Sequence, residues 1–180
     1  MHSVEDLEKQ IRDVPDFPIE GVVFKDITTL LTHPGALRDT ATHLINACGG
    51  FDYQAVAAVE SRGFIFGSLI ASQKDLPLVL IRKPGKLPAE TVSCEYSLEY
   101  GSSTVEMHRD SLPKGTRVLI VDDLIATGGT AVAAAELIEM DGCEVAGAGF
   151  VVDLEFLGGG ERLNDRGVSH VSLIRVQEEK

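Results

Sequence analysis

An α/β fold, with an open, mostly parallel sheet flanked by helices, is what this sequence predicts. Three observations lead there: short runs that are almost wholly apolar, helical stretches that separate several of them, and polar segments directly after three of the runs. Strands covered on both faces read as continuous hydrophobic stretches. Their alternation with helices points to strand-helix-strand crossovers.

The elements follow in order. Ser3 with Asp6 resembles a capping box, and Val4, Leu7 and Ile11 recur at helical spacing, which predicts a short helix ending before Pro15. Pro15 to Gly21 is turn-rich. After Val22, Val23 and Phe24, an ordinary core strand by the residues alone, Leu37, Ala41, Leu44, Ile45 and Cys48 form one helical face that Gly49 and Gly50 terminate. Ala55 to Val59, Leu78 to Ile81, Val118 to Val121 and Val145 to Val152 are the buried strands, with Ile65 to Lys74 and Ala131 to Met140 as crossover helices. Arg82 to Gly101 contains Pro84, Gly85 and Pro88 and has no sustained period, so it reads as a long loop, either a lid or disordered. The tail after Asp153 gives no clear pattern.

Composition narrows the class. With 180 residues, 44% of them hydrophobic, the chain is long enough for one compact domain over 1–180. A net charge of -12 argues against a nucleic-acid surface, which needs clustered Lys and Arg. Any phosphate site must then be local. No apolar run approaches the roughly 20 residues that span a bilayer. Glu5, Asp6 and Glu8 are unlike a signal peptide, so no membrane partner is expected and the cytoplasm is the default compartment. Cys48, Cys94 and Cys143 are odd in number and far apart, as reduced thiols are, and the five histidines form no metal constellation.

In open parallel sheets, ligands bind beyond the carboxyl ends of the strands. That rule selects Glu60-Ser61-Arg62-Gly63, Arg82 to Lys86, and Asp122-Asp123. The run RVLIVDDLIATGGT, Arg117 to Thr130, carries the most chemistry. Gly128 and Gly129 permit close backbone approach, Thr127 and Thr130 offer hydroxyls, and the helix that follows presents free amides and a positive dipole end to a phosphate. Two adjacent carboxylates ahead of that loop can accept hydrogen bonds from neighbouring hydroxyls, so a ribose 5-phosphate fits better than a bare phosphate. A Walker lysine is absent, since the loop reads GGT and not GKT.

This segment resembles the phosphoribosyl diphosphate motif of type I phosphoribosyltransferases. DFPIEGVVFKDIT from Asp16, ESRGFIFG from Glu60, RKPGKLP from Arg82 and YSLEYG from Tyr96 are together similar to the adenine-specific members, over nearly the whole chain. The resemblance implies a small hood built from the N-terminal and C-terminal segments, and a flexible lid loop. It implies that Asp122 and Asp123 hold the ribose hydroxyls while Ala126, Thr127, Gly128, Gly129 and Thr130 wrap the 5-phosphate. Glu60, Ser61, Arg62 and Gly63, with Arg82 and Lys83, would form the pyrophosphate site. Adenine would lie on Phe24, its edge paired with peptide groups of Val23 and Lys25. Glu99 and Tyr100, on the long loop, match residues that close over the site, and Glu99, Tyr100 and Arg62 are the catalytic candidates.

The implied substrates are adenine and phosphoribosyl diphosphate, with Mg²⁺ held mainly through the diphosphate and water rather than by protein ligands. The residue matching Arg82 crosses a dimer interface in the family, which implies a homodimer. Ala126 stands where 6-oxopurine enzymes carry an Asp. That and the Val22 to Asp26 block count against a hypoxanthine, guanine or xanthine transferase, the main alternative; a non-catalytic purine-responsive regulator would need a DNA-binding module that the sequence does not suggest.

Overall fold

The computed structural model describes residues 1–17, 20, 21, 23–97 and 101–177. Helix α1, Val4–Glu8, opens with the expected capping box, in which Ser3 Oγ accepts the Asp6 N–H and the Asp6 carboxylate accepts the Ser3 N–H. It ends earlier than its apolar spacing suggests. The chain turns at Gln10 and Ile11 and enters β1, Arg12–Val14, which pairs antiparallel with β2, Phe24–Asp26, so Ile11 packs from a turn. Asp26 braces this small sheet: hydrogen bonds from Thr28, then the Arg12 guanidinium, bring its carboxyl down to about 2. Short α2, Thr28–Leu31, leads to α3, Ala36–Ala47, which buries Ala41 and Leu44 as expected and closes in a tight turn at Cys48–Gly50.

The main body then runs through β3 (Ala55–Val59), α4 (Gly63–Lys74), β4 (Leu78–Ile81), β5 (Thr91–Ser97), β6 (Ser102–His108), β7 (Arg117–Ile125), α5 (Gly129–Met140), β8 (Glu144–Leu154), α6 (Gly159–Asp165) and β9 (His170–Val176). Five strands form one sheet in the order β4-β3-β7-β8-β9, and every neighbouring pair is parallel. From β3 the chain steps to one side, into β4. It later returns to the other side of β3 as β7. Strand order therefore reverses between β3 and β7, which opens a crevice at their carboxyl ends.

Helices on the two faces supply the core. Phe66 and Ile70 of α4 pack with Val56, Leu119 and Val121 on one face, while Ala134 and Leu137 of α5 pack with Ala57, Val118 and Ile120 on the other. Alternate residues of β7 thus serve opposite layers, and this is why its sequence shows no polar face.

Three expectations need correction. Strand β4 lies at the sheet edge and is covered on one face, leaving Leu78 and Leu80 38% and 37% exposed. Strand β7 continues past Val121 to Ile125, so Asp122 and Asp123 lie on the strand and not after it. The segment from Arg82 to Gly101 is no simple loop, because β5 pairs antiparallel with β6 and buries Val92 and Cys94. The unread tail forms α6 and β9, the latter completing the sheet beside β8. Among the described residues, no helix is long and apolar enough to cross a membrane.

Candidate active site

The crevice between β3 and β7 holds a cavity of about 360 Å³. Glu60, Ser61, Arg62 and Lys83 reach it from the ends of β3 and β4, Asp122 and Asp123 from β7, and Thr130 from α5. The Glu60–Ser61 peptide is cis. Gly63 begins α4 against β7; a Cβ there would stand 2.8 Å from both Asp122 Oδ1 and Val121 O, so only glycine lets the Ser61-Arg62 turn approach the carboxylates this closely.

Arg62 links the parts of the site. Its Nε donates to Asp123 Oδ2 at 2.5 Å, and its Cζ lies 5.7 Å from the centre of the Phe24 ring, which Phe17 meets edge-on at 5.3 Å. Asp123 is only 4% exposed, and this cation balances it. Asp122 Oδ1 accepts the Asp123 N–H at 2.8 Å. Burial, and then the neighbouring Asp123 charge, push the Asp122 carboxyl well above the usual carboxylate range. A pair of carboxylates with one member biased toward its neutral form can present both acceptors and a donor to sugar hydroxyls.

Glu60 joins the two loops beside the cavity. Its carboxylate accepts the Lys83 N–H at 2.8 Å and faces Arg82 Nε at 3.3 Å; the Lys83 bond is the first cause of its lowered pKa. Arg82 also donates to Lys86 O at 3.0 Å and stacks 5.9 Å from the Phe64 ring centre, so its guanidinium is held by its own chain. Lys83 lines the cavity.

Ala126, Thr127, Gly128, Gly129 and Thr130 line an adjoining cavity of about 170 Å³, with Asp122 and Leu124 on its wall. Gly128 has φ 77°, and α5 starts behind it with no side-chain cap, which leaves first-turn amides open toward the loop. A Cβ on Gly128 would come within 2.7 Å of Gly159 O. The start of α6 therefore backs the loop, and Arg162 Nη1 reaches Thr127 O at 3.5 Å.

The resemblance assigns the base to Val23, Phe24 and Lys25. Val22 lies outside the described residues, as do Glu99 and Tyr100. Val23 and Lys25 turn their side chains to a separate cleft shared with Phe156, whereas Phe24 turns to Arg62, as strand alternation requires. Among the described residues β2 pairs only with β1, so its second edge carries no partner strand. Tyr96, Val105 and Leu124 also line the main cavity and escaped the sequence reading. For Leu124 the signal was the apolar run continuing beyond the aspartates; Tyr96 arrives only through packing of β5 on α5.

Residues 26–168 match the phosphoribosyl transferase domain family. An adenine phosphoribosyltransferase of Erythrobacter litoralis is 50% identical over 172 residues, covering 96% of this chain and 97% of its own. Among solved structures, adenine phosphoribosyltransferase from Thermoanaerobacter pseudethanolicus superposes with a TM-score of 0.92 at 44% identity, covering 97% of this chain and 100% of the other. The Saccharomyces cerevisiae enzyme, solved with adenine and an imino-altritol bisphosphate, gives a TM-score of 0.86 at 36% identity and covers 94% and 97% of the two chains. On the span and depth of these matches, the chain belongs to the phosphoribosyl transferase domain family, among its adenine phosphoribosyltransferases.

Proposed function

We propose that the chain transfers the phosphoribosyl group of 5-phosphoribosyl 1-diphosphate to adenine, giving AMP and pyrophosphate in purine salvage. One observation carries the reading: a carboxylate pair, an uncapped glycine loop and Arg62 converge on one crevice where strand order reverses. That arrangement supports a donor that carries hydroxyls, a 5-phosphate and a diphosphate on one sugar.

In this mechanism adenine N9 forms a bond to the anomeric carbon as the bond from that carbon to the diphosphate oxygen breaks, and the electron pair leaves with pyrophosphate. Positive charge builds on the sugar. Asp122 and Asp123 hold its hydroxyls and place negative potential beside it, while the loop from Ala126 to Thr130 grips the 5-phosphate. Ser61, Arg62 and Lys83, with the Gly63 backbone, stabilise the leaving diphosphate; Glu60 and Arg82 brace that side. Val23 and Lys25 read the adenine edge through peptide groups, with the ring on Phe24. Hypoxanthine reverses the donor and acceptor pattern and leaves those groups unpaired. Glu99 takes up the adenine proton, and Tyr100 closes over the base.

The donor set bears on Mg²⁺. Among the described residues no group of three His, Cys, Asp or Glu side chains could hold a metal ion, and Asp123 is already engaged by Arg62. Such a donor set fits Mg²⁺ that would be held mainly through the diphosphate substrate and water. Bound there, the ion supplies charge neutralisation to the leaving group.

We also read the chain as one transferase domain that works as a cytoplasmic homodimer. The exposed Leu78 and Leu80 on the edge strand support the dimer by offering an apolar surface to a second copy. Equilibrium sedimentation tests it. The activity is tested by supplying the donor and Mg²⁺ with adenine, hypoxanthine, guanine, xanthine or orotate separately. AMP formed from adenine, and its loss in a folded Asp122→Asn/Asp123→Asn variant, supports the reading; another nucleotide, or undiminished turnover in that variant, overturns it.

A further inference from the structure

Thr130 and Tyr96 come from distant parts of the chain and meet at the first turn of α5. Thr130 Oγ and the Tyr96 hydroxyl share a hydrogen bond at 3.0 Å that either can donate, and both residues line the main cavity. The tyrosine ring lies over the preceding glycine, since a Cβ on Gly129 would touch Tyr96 Cδ2 at 3.0 Å. Tyr96 is anchored in turn by β5, where it stands opposite Ser103 in the ribbon and packs against the core beneath α5. Its place is therefore set independently of any ligand.

A hydroxyl has one hydrogen to give and two lone pairs to offer. With Thr130 as the donor to Tyr96, its hydrogen is unavailable to a phosphate, which would meet only lone pairs. Reversing the pair removes the conflict. Tyr96 then donates to Thr130 Oγ, and Thr130 donates to the phosphate oxygen. Each bond in that chain polarises the next, so the phosphate meets a stronger donor than an isolated threonine supplies. No heavy atom needs to travel, because the change is a rotation of two O–H bonds.

We infer that Tyr96 is a positioning residue for the 5-phosphate, acting through a reversible Tyr96-Thr130 hydroxyl relay. This rests on the reading that the loop from Ala126 to Thr130 holds that phosphate, and it adds a residue outside the loop that sets the loop's affinity. Tyr96→Phe keeps the ring over Gly129 and removes only the relay, whereas Tyr96→Ala removes both and serves as the packing control.

The test is calorimetric binding of AMP and of adenosine, which differ in the 5-phosphate, to wild type, Tyr96→Phe, Thr130→Val and the double variant. Loss of one hydrogen bond predicts that Tyr96→Phe weakens AMP by about threefold to tenfold and leaves adenosine unchanged. In the Thr130→Val background the tyrosine change should have no further effect. Equal weakening of both ligands, an undiminished effect without Thr130, or unchanged AMP affinity in Tyr96→Phe overturns the relay. The Asp122→Asn/Asp123→Asn variant separates the two levels: if it binds AMP as wild type does, the site reading itself has failed, and if it binds weakly while Tyr96→Phe does not, only the relay has.

Discussion

Arg62 Nε stands 2.5 Å from Asp123 Oδ2, so a cation assigned to the diphosphate rests on a carboxylate assigned to the ribose. A sugar hydroxyl held by Asp123 would share that carboxylate with Arg62, since a carboxylate accepts several hydrogen bonds, and the nearby Phe24 ring keeps the guanidinium at the crevice. On the proposed roles, the ribose carboxylate also positions the diphosphate cation. Arg62→Ala should therefore lower kcat by about 10²-fold or more, as loss of a charge-stabilising donor does. It should also lower Tm, because a buried carboxylate oxygen without a partner costs about 1–3 kcal/mol. Steady-state kinetics and a melt at neutral pH check both, and a variant unchanged in both would show that Arg62 serves neither role.

Asp122 sets a pH dependence of opposite sign from that of an ion-paired carboxylate. Burial and the Asp123 charge raise its carboxyl, so the folded chain keeps this proton to higher pH than the unfolded chain does. Its contribution to stability is full below the ordinary carboxylate value of 3.8 and is lost as pH rises through the raised value. Asp122→Asn retains the Oδ1 acceptor for the Asp123 N–H and carries no charge. The variant should melt close to wild type in acid and above it at pH 8, each kcal/mol appearing as about 2–4 °C, while donor binding falls. A lower melting point than wild type at pH 8 would mean that Arg62 stabilises the Asp122 charge more than burial opposes it.

The phosphate loop depends on Gly128 in two ways, through its φ of 77° and through its contact with Gly159. Gly128→Ala adds about 1–2 kcal/mol of left-handed strain and places a methyl 2.7 Å from a backbone oxygen. Gly167, with φ 82° and open space around it, is the control for strain alone. We expect Gly167→Ala to lose stability with AMP affinity intact, and Gly128→Ala to lose both, AMP binding by at least about tenfold. Equal AMP affinity in the two variants would detach the loop from the phosphate.

Much of this was legible in the sequence, and the reasons are local. The bounds of Ala55–Val59 and Leu78–Ile81 are legible because strands of a parallel sheet are apolar runs closed by polar loops. The aspartates and glycines were legible because their chemistry lies in adjacent residues. The ribbon was not. Its buried positions Val92 and Cys94 alternate with Thr91, Ser93 and Glu95, a weak period-two signal that the preceding prolines and glycine masked. The contact of Tyr96 with Thr130 depends on how β5 seats on α5, and no spacing along the chain encodes that. For Val23 and Lys25 the sequence offered only apolar and basic side chains; the proposed recognition uses their peptide groups, which every residue has.

Base choice separates these levels most sharply. By the resemblance, Ala126 takes the place of an acid in 6-oxopurine enzymes; it lines the smaller cavity, and its carbonyl packs against Gly159. If preference resided in that side chain, Ala126→Asp would open the enzyme to hypoxanthine. If it resides in the peptide edge of β2, the new carboxylate leaves the donor and acceptor pattern facing the base untouched, and hypoxanthine still strands a buried group. The second account predicts that Ala126→Asp retains a preference for adenine of about 10³-fold or more in kcat/KM, in the range that unpaired polar groups enforce. Measuring both bases with the same donor decides between them, because a change in proton handling alone moves kcat for both bases, whereas a change in recognition moves their ratio.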